Sequence, residues 1–378
     1  MAVLHFTRND RPSLGIELEL GLVDGQTLDL VNGYNRVVQH LPEQGRERFK
    51  PELMQSVLEI NTDVCQSVKE AERELRGRVG VVEAAADREG LALWWGGLHP
   101  FARLRDQQVT PDERYLKLLE TLQTLARNLV TFGLHVHVGV DSGDKAIMIC
   151  DRILRHLPTL LALSCSSPYW EGEPSGLQSY RSKVMAALPT AGLPPLMRNW
   201  SEYVWLVNHM EATGFINTIR EIWWDVRPHH NFGTVEVRMC DMPGNLDDVL
   251  ALAALTQCLV KSLSDEIDHG AYQHDAHPMM VSQNKWRAAR FGTSARLVDP
   301  LTFESLSVEQ VVEQLVATLR GAADDLGCAE YLERCRHIAA SPTWADRQIA
   351  LRQELGDSAA TVRQLVAQSR VSPLQGPT

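Results

Sequence analysis

Ionisable side chains alternate with apolar ones in four separate segments of the chain. The first segment carries an E-x-E pair, the second carries a glutamate that lies seven residues after an earlier one, the third carries an H-x-H pair and the fourth an E-x-R pair. In chain order these residues are Glu17 and Glu19, Glu52 and Glu59, His135 and His137, and Glu236 and Arg238. Several carboxylates in one cleft would repel one another and raise one another's pKa values unless cations neutralise them. Oxygen ligands with an imidazole suit Mg²⁺ or Mn²⁺, so these residues predict a divalent-metal site.

Each pattern taken alone is also typical of ordinary structure. An E-x-E pair on an amphipathic strand is usually a solvent-exposed face, and an H-x-H pair is as often a polar face as a pair of ligands. Glu236 and Arg238 could form a simple cross-strand ion pair. The combination favours a functional site, because in each of the four segments apolar side chains alternate with ionisable ones.

These segments alternate with a period of two, which predicts β-strands. The predicted strands are Leu14–Leu20, Val57–Val64, Thr131–Val140 and Phe232–Cys240. Successive side chains of a strand point to opposite faces, so each strand has one apolar face and one ionisable face. Cys240 falls on the ionisable face with Glu236. If the apolar faces pack on helices, the ionisable faces line one cleft.

Helical periodicity predicts the elements that support these strands. The first helix begins at Ser67, which forms a capping box with Glu70, and ends at Gly90. The others are predicted near 111–129, 143–165, 202–222, 246–268, 307–326 and 344–370. The chain has no repeat and no low-complexity linker. We therefore predict an α+β fold with one domain over residues 1–378, in which residues 301–378 form a helical part.

Composition excludes several functional classes. The 378 residues carry a formal charge of −11, so the chain lacks the positive field that binds nucleic acid. The N-terminus has no apolar leader and the longest apolar run is too short for a bilayer, which predicts a cytoplasmic protein without a membrane partner. No glycine-rich phosphate loop occurs, so P-loop and dinucleotide-binding enzymes are disfavoured. Trp94, Trp95, Trp223 and Trp224 are expected in the core or an interface.

The cysteine pattern indicates buried thiols in a reducing compartment. Seven cysteines are an odd number, they include no C-x-x-C pair, and their neighbours are mostly apolar. Cys65 and Cys240 lie near the candidate site in sequence. We expect both to pack as small apolar groups rather than to act as nucleophiles.

The order of the motifs resembles that of the bacterial carboxylate–amine ligases of the glutamate–cysteine ligase type 2 family, distant relatives of glutamine synthetase. The resemblance covers roughly residues 12–300 and is much more specific than any single motif. It is carried by GIELELGLVD, ELMQSVLEINTDVC, GLHVHVGV, SSPYWEG followed by SYR, HHNFGTVEVRMCD and NKWRAARFG. It implies a glutamine-synthetase-like catalytic domain, in which an antiparallel sheet forms a funnel flanked by helices.

The resemblance also implies ligands for the metal ions. Glu19, Glu52 and Glu59 would hold one ion, and a second would be held by Glu17, His135 and Glu236. His137 would face the phosphates of ATP and Arg238 the transferred phosphoryl group, with Glu236 and Arg238 as the catalytic pair. Either His135 or His137 could reach the ion, because both project from the same strand face.

Three further arginines are candidates for binding ATP. They are Arg181 in the SYR segment and Arg287 and Arg290 in NKWRAARFG. A guanidinium fork matches phosphate and carboxylate oxygens bidentately. The alternative for Arg287 and Arg290, spaced i,i+3 beside Trp286, is a solvent-exposed helix face. Arg227 could likewise recognise an anion.

The resemblance implies a reaction. Such ligases move the γ-phosphoryl group of ATP onto a carboxylate, and an amine then attacks the acyl phosphate. The implied enzyme depends on ATP and Mg²⁺ or Mn²⁺, joins the γ-carboxylate of L-glutamate to the amine of L-cysteine, and is a homodimer. The same residues would also suit a phosphotransferase, a metal-dependent hydrolase that activates water, or a nucleotide sensor without turnover.

Overall fold

The computed structural model describes residues 4–271 and 276–371 and combines strands with helices, which confirms the predicted α+β class. The strands are β1 (Leu14–Asp24), β2 (Phe49–Pro51), β3 (Val57–Asn61), β4 (Leu91–Trp94), β5 (Gly133–Gly139), β6 (Tyr169–Trp170), β7 (Glu173–Pro174), β8 (Ala191–Gly192), β9 (Trp223–Trp224), β10 (Val226–His229), β11 (Thr234–Asp241), β12 (Arg296–Val298) and β13 (Ser305–Ser307). The four predicted strands correspond to β1, β3, β5 and β11.

The helices alternate with these strands and dominate the C-terminal part. They are α1 (Tyr34–Val38), α2 (Val68–Arg88), α3 (Glu113–Leu122), α4 (Thr124–Arg127), α5 (Gly143–Ile153), α6 (Leu157–Ser164), α7 (Arg181–Ala186), α8 (Trp200–Ala212), α9 (Leu246–Asp268), α10 (Pro278–Phe291), α11 (Val308–Thr318), α12 (Arg320–Leu326), α13 (Ala329–Ala339), α14 (Trp344–Leu355) and α15 (Ser358–Ser369). Single 3₁₀ turns lie at Arg46–Arg48, Leu104–Asp106, Leu154–His156, Ile219–Glu221 and Gly292–Ser294.

The four predicted strands lie side by side in one antiparallel sheet. Its order is β10-β11-β5-β1-β3-β2, and β4 pairs with the C-terminal half of β1. Strand β1 is a central strand of the sheet, because it pairs with β5 on one side and with β3 on the other. The sheet therefore brings together residues that are more than 200 positions apart in sequence, from Glu17 to Glu236.

The apolar face of the sheet is covered by helices. Leu14, Ile16, Leu18 and Leu20 are all buried, whereas Gly15, Glu17 and Glu19 between them are only partly buried. Helices α2, α5, α6 and α9 pack against β1, β10, β11 and β5, respectively. This packing places the ionisable residues on the opposite face of the sheet, as the alternation predicts, where Glu59, His135, His137 and Glu236 are also buried.

Helix α9 matches its predicted span of 246–268, but most of the other long predicted helices are split. The 143–165 span breaks into α5, a 3₁₀ turn and α6, because Pro158 has no N–H to continue the helical ladder. Gln123, with a φ of 49°, divides the predicted 111–129 helix, and Gly356, with a φ of 68°, divides the predicted 344–370 helix. The 202–222 span ends at Ala212, just before Gly214 with a φ of 73°. Helix α13 was not predicted.

The N-terminus of α2 differs in one detail from the predicted capping box. Ser67 Oγ accepts a hydrogen bond from the Glu70 N–H at 3.2 Å, which is the predicted half. The Glu70 carboxylate, however, accepts from the Gln66 N–H at 2.7 Å, one residue before the cap. The backbone N–H groups at the start of the helix therefore still have side-chain partners. Gly90 follows the end of the helix with a φ of 67°.

A β-bulge in β11 moves Cys240 to the apolar face. Val237 pairs with Val136 but Cys240 pairs with Leu134, so one extra residue lies on β11 between them. The thiol contacts the Leu160 carbonyl of α6 at 4.0 Å, on the helix side of the sheet. The prediction that Cys240 shares the face of Glu236 is therefore wrong, because a bulge breaks the period of two. Its expected role as a packed thiol fits this position.

Other core expectations are confirmed. All seven cysteines are free and buried, and Trp94, Trp95 and Trp224 are buried as well. Trp223 is only partly buried and borders a cavity on the polar face of the sheet. Across residues 4–271 and 276–371, no helix is long and apolar enough to cross a membrane.

Candidate active site

Strand register arranges the polar face in three rows that run across the sheet. The rows are Arg227–Glu236–His137, His135–Glu17–Asn61 and Glu19–Glu59–Lys50. Each row joins side chains of neighbouring strands, whose Cβ atoms lie about 5 Å apart. The sheet thus places the sequence-predicted residues of β1, β3, β5 and β11 within reach of one another.

Three carboxylates form a compact group at one end of these rows. One oxygen each of Glu19, Glu52 and Glu59 lies within 4.8 Å of the other two. Glu19 and Glu59 are register partners on β1 and β3, and Glu52 reaches them from the turn that follows β2. Burial, together with the charges of Glu59 and Glu19, raises the pKa of Glu52 well above its usual range. An isolated protein holds this group only at an electrostatic cost, which a hard cation would remove.

Two imidazoles border the carboxylates. His135 Nδ1 lies 3.1 Å from Glu17 Oε2, and His137 Nδ1 lies 3.0 Å from Thr234 Oγ1. The Nε2 atoms of both rings are buried and have no hydrogen-bond partner in the described part of the chain. They approach Glu19 Oε1 at 3.7 Å and Glu17 Oε1 at 3.4 Å, respectively. Unpaired imidazole nitrogens beside clustered carboxylate oxygens are a donor set that fits Mg²⁺ or Mn²⁺.

The imidazoles control the charge of Glu17. Burial alone would raise the pKa of Glu17, but the adjacent imidazoles of His135 and His137 outweigh it and hold that pKa well below its usual range. Burial would lower the pKa of His137, but the charges of Glu236 and Glu17 raise it above its usual value. Glu17 is therefore a carboxylate at neutral pH, and the site carries negative charge where a cation would bind.

Glu236 lies at the other end of the rows and is paired with arginine. Its carboxylate accepts hydrogen bonds from Arg227 Nε at 2.7 Å and Arg227 Nη2 at 3.3 Å. Burial would raise the pKa of Glu236, but the charges of Arg227 and His137 outweigh it and hold the pKa well below its usual range. Glu236 is thus outside the group of Glu19, Glu52 and Glu59, and its role as a metal ligand stays a prediction.

Arg238 lines the same cavity as Glu19 and Glu52. Its guanidinium is partly buried, and the nearest carboxylate oxygen is Glu236 Oε1 at 3.7 Å. Within the described residues, no hydrogen bond from this guanidinium is present, whereas Arg227 is fully engaged with Glu236 and with the Ile222 carbonyl. The N–H groups of Arg238 are therefore available to a ligand. The hydrogen bonds of Arg227 go to other residues of the protein and hold Glu236 in place.

The three other predicted arginines lie in different places. Arg181 is buried beside the site and donates to the carbonyls of Met239 and Cys240 at 3.3 and 3.0 Å. Its guanidinium occupies the space over Gly133, where any Cβ would overlap it. Arg287 donates to the Arg296 carbonyl at 3.1 Å, and Arg290 lines a separate cavity of about 500 Å³. The structure brings Arg181 to the sheet residues but does not bring Arg287 or Arg290 to them.

Among the cavities of the described residues, two that border the polar face share no lining residue. The larger, of about 430 Å³, is bordered by Glu17, His137 and Phe232. The smaller, of about 80 Å³, is bordered by Glu19, Glu52 and Arg238. Glu17 thus borders the roomier of these two cavities, and Glu19 and Glu52 border the smaller one.

The sequence analysis missed several residues of the site. Asn61 donates to Glu59 Oε1 at 2.6 Å, and Lys50 Nζ lies 3.4 Å from the same oxygen. The alternation of β3 already placed Asn61 on the ionisable face, so its position could be found from the sequence. Lys50 is brought in by the short strand β2, and Arg114 by helix α3, for which no sequence pattern indicated a role.

Comparison with known sequences identifies relatives along nearly the whole chain. A model of the glutamate–cysteine ligase family 2 matches residues 13–365, further than the predicted resemblance to residue 300. The "Putative glutamate–cysteine ligase 2" of Gloeobacter violaceus is 40% identical over 365 residues, 96% of this chain and 98% of that protein. A protein of the same name from Thermobifida fusca is 39% identical over 371 residues, 97% of this chain and 93% of that one.

Solved structures share the fold. The glutamate–cysteine ligase of Francisella tularensis, solved in complex with AMP, gives a TM-score of 0.70 at 13% identity and covers 98% of this chain and 91% of its own. A bifunctional glutathione synthetase from Pasteurella multocida gives a TM-score of 0.67 at 16% identity, over 95% of this chain and 51% of that one.

The family match and the curated relatives identify an ATP-dependent ligase that forms C–N bonds, as predicted. The chain belongs to the glutamate–cysteine ligase family 2. This membership confirms the family, the fold class and the glutamate–cysteine ligase type of activity expected from the motifs.

Proposed function

We propose that this protein uses ATP and a divalent cation to phosphorylate the γ-carboxylate of L-glutamate and then joins it to the amine of L-cysteine. One observation carries the proposal. The carboxylate group of Glu19, Glu52 and Glu59 lies on the same sheet face as Arg238, whose guanidinium has donors to offer. Clustered carboxylates and a guanidinium with donors available to a ligand are what phosphoryl transfer needs, because that reaction depends on positioning and charge stabilisation.

The resemblance to the family supplies the metal ligands of this proposal, and the grouping of three carboxylates supports the first set. Glu19, Glu52 and Glu59 would hold one Mg²⁺ or Mn²⁺, and Glu17, His135 and Glu236 a second. The bound ions would neutralise the triphosphate of ATP and connect it to the carboxylates of the sheet. Arg227 fixes the Glu236 carboxylate in one orientation through two hydrogen bonds, and Thr234 fixes the His137 ring.

The protein's own residues then have separate tasks. Arg238 donates hydrogen bonds to the transferred phosphoryl oxygens and offsets charge that grows in the transition state. His137 borders the larger cavity, where it faces the phosphates of ATP. Arg181, Arg287 and Arg290 remain proposed contributors to nucleotide binding. No side-chain nucleophile is required, because the carboxylate of the substrate attacks ATP and the amine attacks the acyl phosphate.

The wider assignment rests on the resemblance and on the family. We propose that residues 1–378 act as one catalytic domain, that the active species is a homodimer, and that the protein works in the cytoplasm on free amino acids. The names of the relatives support glutamate and cysteine as the substrate pair.

An ADP-release assay tests the proposal. With Mg²⁺, L-glutamate and L-cysteine, we expect ADP and phosphate to appear together with one amide product per ATP. Omitting the amine should stop steady release, which separates a ligase from a phosphotransferase, and omitting ATP should stop all turnover, which separates it from a hydrolase. After chelation of the divalent ion, calorimetry should detect no ATP binding, because the carboxylates then repel the triphosphate. Undiminished ATP binding without metal would overturn the metal assignment.

A further inference from the structure

The smaller cavity on the polar face has walls of mixed character. It lies between the carboxylate end of the sheet and helices α3 and α7. Leu53, Met54, Leu118 and Leu188 line it and are buried, so much of the wall is apolar. A ligand in this cavity therefore needs a short apolar portion that fits between the polar groups of the rim.

Two arginines border this cavity, and within the described residues neither guanidinium donates a hydrogen bond to a carboxylate. Arg238 lies on the sheet, where its nearest carboxylate oxygen is 3.7 Å away. Arg114 lies on the first turn of α3, and its guanidinium has no hydrogen-bond or ion-pair partner in the described residues. Arg227, Arg36 and Arg78, by contrast, each hold a carboxylate within 3.0 Å. A partly buried guanidinium without a partner indicates an anionic ligand.

The neighbours of Arg114 hold it at the rim. Asp112 caps α3 by accepting a hydrogen bond from the Arg114 N–H at 2.9 Å. The guanidinium carbon lies 5.4 Å from the centre of the Tyr115 ring, within range of a cation–π contact. The Tyr115 hydroxyl in turn lies 3.5 Å from the carbonyl of Pro51, next to Glu52. Arg114 is thus tied to the same turn that supplies a metal-binding carboxylate.

We propose that Arg114 is a specificity residue that binds the second acid group of the carboxylate donor. The donor lies in the smaller cavity with its reacting carboxylate at Arg238, its methylene groups against the leucine walls, and its α-carboxylate at Arg114. The inference rests on the proposed function, because it assumes that the phosphoryl acceptor occupies the Arg238 end. It adds which cavity holds the donor and why a dicarboxylate is selected over a monocarboxylate.

The test compares two donors that differ only in the α-carboxylate. L-glutamate and 4-aminobutanoate are assayed with ATP, Mg²⁺ and hydroxylamine, which converts the acyl phosphate into a hydroxamate and phosphate whatever the natural amine. We expect the wild-type kcat/KM to favour L-glutamate by at least about 100-fold, because a site built for a charged group rejects the analogue that lacks it. Arg114→Gln should cut this preference by about tenfold or more, chiefly through a raised KM for L-glutamate.

Two further variants make the result specific. Arg114→Lys keeps the charge and should restore part of the preference. Lys117→Gln removes a positive charge one turn along the same helix, where Lys117 is exposed and paired with Glu113, and it should leave the preference unchanged. Thermal melting should show that all three variants fold like the wild type.

The outcomes separate the two proposals. No ATP-dependent hydroxamate from the wild type with any donor would overturn the proposed function and this inference with it. An active wild type whose preference is unchanged in Arg114→Gln would overturn the inference alone. An equal loss of kcat/KM for both donors would also overturn it, because Arg114 would then act on something that the donors share.

Discussion

Glu52→Gln should remove ADP release almost completely while the protein stays folded. Glu52 is one of the three carboxylates within 4.8 Å of one another, and a neutral amide is a much weaker ligand for Mg²⁺. We expect kcat/KM to fall by at least about 100-fold, the loss typical when one electrostatic partner of a phosphoryl or oxyanion site is removed. Glu43→Gln, which changes an exposed glutamate, is the control and should retain full activity.

The same variant should be no less stable than the wild type in the absence of metal. Burial and the charges of Glu59 and Glu19 raise the pKa of Glu52 above the ordinary value of 4.5. The folded state then holds a proton that the unfolded state has released, so the wild type loses stability as the pH rises from about 4.5 through the raised pKa. The Glu52→Gln variant does not lose stability in this way, because the glutamine side chain does not ionise.

Thermal melting of the metal-free protein measures the effect. Glu52→Gln should melt at the same temperature as the wild type or higher at pH 8, and the difference should shrink towards pH 5. Added Mg²⁺ should raise the melting temperature of the wild type more than that of the variant. A variant that is clearly less stable at pH 8 and still binds Mg²⁺ normally would contradict the assignment of Glu52 as a ligand.

Arg238→Ala should slow the chemical step far more than it weakens the binding of ATP. The proposed role of Arg238 is to meet charge that develops on the transferred phosphoryl group, and arginines in such positions contribute about 10³-fold or more to kcat. The Kd for ATP, measured by calorimetry with Mg²⁺, should change by less than about threefold, because ground-state binding does not use this interaction.

Two comparisons sharpen that result. Arg238→Lys keeps a charge but loses the planar fork, so it should recover only part of the rate. Arg105→Ala removes an exposed guanidinium outside the site and should behave like the wild type. If Arg238→Ala loses ATP affinity and kcat in equal proportion, Arg238 is a ground-state binding residue and its proposed role is wrong.

The sheet could be predicted from sequence because its strands obey a simple rule. Alternation at β1, β3 and β5 places leucine, isoleucine and valine against helices and leaves the ionisable residues on one face. The rule fails at β11, where the bulge before Cys240 adds a residue that changes the register locally. Helix ends were harder to predict, because Pro158, Gln123 and Gly356 interrupt patterns whose apolar spacing continues on both sides.

The site could be predicted only in part, since its partners are set by tertiary contacts. Local spacing identified Glu17, Glu19 and the two histidines, because those residues are neighbours on single strands. No local pattern reveals that Arg227 binds Glu236 across two strands, or that Arg181 fills the space over Gly133. The unpaired guanidinium of Arg114 depends on how α3 packs against the turn at Glu52, which the helical pattern alone does not determine.

Isotope transfer from the donor to phosphate tests the central claim most directly. L-glutamate labelled with ¹⁸O in its side-chain carboxylate is converted with unlabelled ATP, L-cysteine and Mg²⁺, and the released phosphate is examined by mass spectrometry. If the carboxylate attacks the γ-phosphorus and the amine later breaks the acyl C–O bond, each phosphate must carry one oxygen from glutamate. Phosphate without the label, formed at the same rate as the amide, would contradict an acyl-phosphate ligase.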